Sequence, residues 1–127
     1  MPQPMPVREG GPPPDDAVVV IRGGVMARAS LEKAAVQSLD FYGLLAISVE
    51  AVIETTVDTA CRNSPRLAQY HQVRLSSFGQ LRAGGFALVA TFEHPHFSLL
   101  LPDVSELTIA RLDRCFGAPI PNPGRRR

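Results

Sequence analysis

The stretch FALVATFEHPHFSLLLP, Phe86 to Pro102, constrains the fold more than any other. Two apolar runs are joined by a short polar break, the pattern of adjacent strands linked by a tight connection. The strands are expected over Phe86–Phe92 and His96–Leu101. Pro95 lacks a backbone N–H, so it belongs at an edge or in the turn and not inside a ladder. Pro102 and Asp103 close the second run.

Upstream, strand and helix patterns alternate. AVVVIR (Ala17–Arg22) is a β-branched run between an Asp pair and a Gly pair, which reads as a buried strand. Leu31, Ala34, Ala35, Leu39 and Tyr42 recur at helical spacing, predicting a helix over Leu31–Tyr42 with Ser30 as its cap and Gly43 as its stop. LLAISVEA (Leu44–Ala51) fits a second strand. A helix follows from about Val52 to Arg62, weakened by the β-branched Thr55, Thr56 and Val57. HQVRLSS (His71–Ser77) alternates as a third strand, and Ser77 can cap a short helix that Gly84 and Gly85 end. After the hairpin, Ser105 opens a last helix whose apolar side is Leu107, Ala110, Leu112 and Cys115, with Phe116. The order is β-α-β-α-β-α-β-β-α. It predicts an α+β single domain, a mixed sheet of about five strands with helices packed on it.

Residues 1–16, MPQPMPVREGGPPPDD, are too rich in proline and glycine to form helix and read as an extended, disordered arm. Residues 17–117 form the domain, and 118–127 form a flexible basic tail ending in Arg125, Arg126 and Arg127. An apolar fraction of 45% beside 20% charged residues is globular, and a net charge of +1 exerts no global pull on nucleic acid or anionic membrane. Cys61 and Cys115 lack zinc or redox spacing and read as buried, reduced thiols, with a bridge as the alternative. No apolar run approaches the ~20 residues of a membrane span, and no signal-peptide pattern is present. The expectation is a cytoplasmic protein with no membrane association.

The chemistry-bearing candidates are few. His94 and His96 would share a strand face if the strand began early enough, and imidazoles titrate near neutral pH. They could serve in proton transfer, in RNA contact or simply on a turn surface. A metal would need a third ligand from His71, Glu93 or Asp103, and no metal or other cofactor is assigned. Arg22, beside Gly23 and Gly24 at a strand end, sets a rigid cation where a ligand can approach the backbone, or serves in a structural ion pair. His71 and the terminal arginines complete the binding candidates. VIRGG lacks the lysine-serine ending of a phosphate loop and the spaced third glycine of a dinucleotide fingerprint. Ser76 and Ser77 lie near His71, but a serine at a helix start is ordinarily a cap.

The segment LRAGGFALVATFEHPHFSLLLPD resembles the core of the HicA-type mRNA interferases, small toxins with a double-stranded-RNA-binding-like fold. The resemblance implies that Gly85 and Phe86 match the family's glycine-phenylalanine pair and that His94 or His96 stands near the catalytic histidine. The chain departs from the pattern at Phe92 and Glu93, which replace a glycine-serine, and at Pro95 between the histidines. VIRGG (Val20–Gly24), ISVEA (Ile47–Ala51), LRAGGF, PHF (Pro95–Phe97) and the NP of Asn122–Pro123 are similar to small proteins of actinobacteria and their phages. That resemblance implies a two-gene cassette of toxin–antitoxin type and a partner protein from the neighbouring gene.

Two functional expectations follow. One is a protein-binding domain, half of a toxin–antitoxin-like pair; the other is an RNA-directed nuclease using His94 and His96. RNA and a second copy of the chain are the alternative partners, and catalysis stays open.

Overall fold

The computed structural model describes residues 3–9, 13–21, 26–52 and 56–125. Arg22, Gly23, Gly24, Arg126 and Arg127 lie outside the described residues. The chain forms β1 (Val18–Ile21), α1 (Arg28–Tyr42), β2 (Ala46–Val52), α2 (Val57–Arg62), β3 (Gln72–Ser77), α3 (Phe78–Ala83), β4 (Ala87–Ala90), β5 (His96–Leu100), α4 (Glu106–Arg114) and β6 (Ile120–Pro121). One six-stranded sheet runs in the order β4-β5-β2-β1-β3-β6. The α+β single domain is therefore as expected, with a short sixth strand added.

The expected mixed sheet is corrected: every pairing among the described residues is antiparallel. Helices between strands suggested crossovers, but α1 sends the chain back along β1, so that Val18 faces Val52 and Ile21 faces Val49. An intervening helix permits a parallel neighbour without compelling one. The second expected helix also yields its start. Val52 stays in the ladder, and Thr56 caps α2 by accepting from the Thr59 N–H at 3.1 Å.

Capping decides the other helix starts. Ser77 accepts from the Gln80 N–H while the Gln80 side chain accepts from the Ser77 N–H, a reciprocal capping box that starts α3. Ser105 caps α4 through the Thr108 N–H at 3.2 Å. Ser30 does not cap α1, which begins a turn earlier behind Ala27 with no side-chain cap. Buried Met26, at φ 53°, lies just before that entry and shares the main core with Leu31.

Side chains alternate across the strands and divide the sheet into two unlike faces. Ile47, Val49 and Ala51 of β2 and Phe97 and Leu99 of β5 enter the main core. They meet Leu31 and Ala35 of α1, Phe78 and Leu81 of α3, and Ile109 and Leu112 of α4. Of the apolar side expected for α4, Leu112 and Phe116 are buried, but Leu107 is 83% exposed and Ala110 is exposed, and Thr108 and Ile109 are buried instead. Leu39 is likewise turned to solvent. The opposite sheet face carries Ser48 and Glu50 on β2 and His96 and Ser98 on β5. It also carries Leu75 and Val73 of β3, and Val73 forms a smaller cluster with Cys61 and Leu67.

Two polar side chains lock elements onto β3. Arg74 is only 7% exposed; its guanidinium donates to the carbonyls of Gly117 at 2.6 Å and of Asp113 and Phe116 at 3.1 Å, and pairs with the Asp113 carboxylate at 2.5 Å. It thereby ties β3 to carbonyls at the C-terminal end of α4 and just beyond it. Asn122 donates to the carbonyls of Leu67 at 2.6 Å and Tyr70 at 2.9 Å. Part of the segment expected as a flexible tail, 118–127, is thus paired to β3, with Val73 opposite Ile120. Gly124 lies so close to α2 that a Cβ there would overlap the Cys61 carbonyl.

Candidate functional site

The polar face of the hairpin collects most of the candidate chemistry. β4 ends at Ala90, Phe92 adopts φ 54°, and the His94–Pro95 bond is cis. The His96 N–H donates to the Glu93 carbonyl at 2.9 Å, closing the turn. β5 begins at His96, where the sequence put it, so the earlier start that a shared strand face for His94 and His96 required does not occur. His94 is an exposed turn residue, whereas His96 is 3% exposed.

His96 is held from several sides. Its Nδ1 lies 2.9 Å from the Thr91 hydroxyl, which lies 2.8 Å from the Ser98 hydroxyl. Ser98 donates to the Met5 sulfur at 3.2 Å. The imidazole stands edge-on to Phe92, with centroids 5.0 Å apart, and Phe92 stands edge-on to Tyr42 at 5.6 Å. Glu50 is the cross-strand neighbour of His96, buried, and its carboxylate accepts from the Ser64 hydroxyl at 2.6 and 2.8 Å. Alternation along VEA and HFS could have placed Glu50 and His96 on one face, but the pairing of β2 with β5 was not readable.

Beside this network lies an open cleft of about 680 Å³, lined by Pro6, Glu50, Pro65, Arg66 and the turn from Phe92 to His96. A second cleft of about 570 Å³ lies between the end of α1 and the sheet, bounded by Met5, Phe41, Tyr42, Ser48, Phe92 and Ser98. Met5, Pro6 and Phe92 form the margins of these clefts. Nothing in the proline-rich arm announced that it would reach them.

The remaining candidates disperse. His71 and Arg125 touch each other through Nδ1 and the guanidinium, near the short β3–β6 pairing, and neither lines the hairpin cleft. Ser76 donates to the Cys115 carbonyl at 2.7 Å, which ties β3 to the end of α4 and takes no part in a triad. Asp103 caps the entry to α4, accepting from the Thr108 hydroxyl at 2.5 Å and the Ser105 N–H at 2.9 Å. Those bonds, Thr108 first, bring its carboxyl down to about 2. Among the described residues no three His, Cys, Asp or Glu side chains gather as a metal site.

Both cysteines are free thiols. Burial, reinforced by the nearby carboxylates of Glu50 and Asp58, pushes the Cys61 thiol up to about 11, and burial also raises Cys115. Neither is an activated nucleophile, since reactivity needs the thiolate. Among the described residues, no helix is long and apolar enough to cross a membrane. Comparison with protein-family models, with curated proteins and with solved structures finds no match.

Proposed function

We propose that this chain is a protein-binding domain, one half of a toxin–antitoxin-like pair whose other half is the product of a neighbouring gene. One observation supports the reading above the rest: the chain's own N-terminal arm pairs with the end of the terminal strand β4, at Ala90 to Phe92. Backbone bonds run from the Phe92 N–H to Pro6 and from the Arg8 N–H to Ala90, both at 2.9 Å. Edge strands present unpaired backbone groups, and adding a strand to them is a common mode of peptide recognition. The polar groups nearby serve the fold, with Thr91 against His96 and Ser64 against Glu50. The reading places the protein in the cytoplasm, where its thiols stay reduced. Co-expression with the neighbouring gene product is expected to give a complex that survives size-exclusion chromatography. A chain that elutes alone would sink the reading.

RNA cleavage from the hairpin has one observation in its favour, because His94 and Arg66 line the same cleft. Glu50 and Glu93 line it too, and carboxylates disfavour a phosphate backbone. Unchanged RNA decay after replacing His94 and His96 with alanine removes this second reading.

A further inference from the structure

The N-terminal arm carries the imprint of a ligand. Its backbone bridges to the hairpin edge at Val7 and Thr91. Arg8 places its guanidinium 5.0 Å over the Phe97 ring and donates to the carbonyls of His96 at 2.5 Å and Thr91 at 3.4 Å. Met5 reaches Ser98 beside the second cleft, and the Gln3 N–H donates to the Phe41 carbonyl at 2.7 Å. An apolar side chain and, three residues later, a cation are thus seated on opposite sides of one extended backbone.

The arm also lies largely at the surface, with only Met5 and Arg8 of residues 3–9 partly buried. Val7 is 64% exposed, and the prolines at 4 and 6 give the edge no donor. GGPPP separates the arm from the domain in sequence. Tethering supplies much of its occupancy, since a short link holds a segment at an effective concentration in the millimolar range, about 1 mM.

We propose that residues 3–8 are a displaceable internal ligand, and that the groove they fill at the hairpin edge, from Ala90 to Phe92, is the docking surface for an extended, arginine-bearing segment of the partner protein. The inference rests on the protein-binding reading above and names its surface. The partner segment adds a strand at the edge, puts an unbranched apolar side chain beside Ser98, and stacks an arginine on Phe97. Its binding expels the arm, so the free protein is self-occluded.

The test uses the full chain and the labelled peptide MPQPMPVRE. A double variant, Met5→Gly with Arg8→Ala, weakens the arm and is expected to bind the peptide about tenfold more tightly than the wild type. A peptide carrying the same two replacements is expected to bind neither protein. The Phe92 amide, whose acceptor is Pro6, is expected to exchange faster in the double variant and to slow again on adding peptide. Equal affinity for both proteins, or no binding to a folded variant, overturns the proposal. If the double variant unfolds, Arg8→Ala alone carries the same comparison. A partner complex that forms but is not competed by the peptide overturns the groove and keeps the protein-binding reading. A peptide that binds the variant while the neighbouring gene product does not bind keeps the groove as an arm site and removes that product as its occupant. A wild-type chain that runs as a dimer with exchanged arms assigns the groove to a second copy and overturns the proposal.

Discussion

The Thr91 hydroxyl lies 2.9 Å from Nδ1 of His96 and joins that imidazole to Ser98 through a second contact of 2.8 Å. Thr91 is fully buried, so this network is sealed from water on the strand side. His94, two residues before His96, has none of these partners and faces solvent. The two histidines that the sequence sets side by side therefore belong to different environments.

This difference is measurable by denaturation. His94→Ala is expected to change stability by no more than about 0.5 kcal/mol, as for exposed positions generally. Thr91→Val keeps the shape, removes the hydroxyl and is expected to cost about 1–3 kcal/mol, the range for stranding buried polar partners. Equal effects in urea titrations would contradict the assignment of His96 to the folded framework.

Arg74 tests the tie between β3 and α4. Arg74→Met withdraws the donors to three carbonyls at the end of α4 and is expected to cost about 1–3 kcal/mol, the range for buried polar groups left unsatisfied. Asp113→Asn leaves those carbonyl bonds in place and removes only a half-exposed carboxylate charge, so about 1 kcal/mol or less is expected. Chemical denaturation of the two variants side by side checks the ratio.

Gly124 tests whether the C-terminal segment belongs to the domain. Gly124→Ala drives a methyl into the Cys61 carbonyl, and the obstacle is backbone, which cannot rotate away. A loss of about 1–3 kcal/mol is expected, as for other overpacked positions. No change in melting temperature would mean that residues after Asn122 leave α2 without cost.

Asp103 sets an acid-side dependence. Its carboxyl is held down to about 2 by the Thr108 hydroxyl first and Ser105 second. A depressed folded value means that the carboxylate stabilises the fold above its ordinary value of about 4, and that this contribution fades as pH falls through about 2. The melting-temperature gap between wild type and Asp103→Asn is expected to be positive and flat above pH ~5 and to close towards pH ~2. A gap independent of pH would contradict the assignment.

Local signals in the sequence carried the order of the elements. The capping box of Ser77 and Gln80, the Ser105 cap and the apolar runs around FEHPH each act over a few residues. Long-range pairing was less legible. Whether Val52 ends a strand or starts a helix depends on Val18 standing opposite it. Arg74 occupies an ordinary alternation within HQVRLSS, and only the arrival of α4 gives it carbonyls to bind. The site was half visible: His96 was singled out and the strand start at His96 was readable, but its burial against Thr91 and beside Glu50 depends on the pairing of β5 with β2. The arm was invisible, because proline-rich composition describes what a segment cannot form and says nothing of the edge it meets.

Calorimetric titration of the purified chain with the neighbouring gene product tests the central claim most directly. Saturable one-to-one binding is expected, unchanged by His94→Ala and competed by the arm peptide. Absence of binding, together with RNA decay that His94→Ala abolishes, would contradict the protein-binding account and return the hairpin to catalysis.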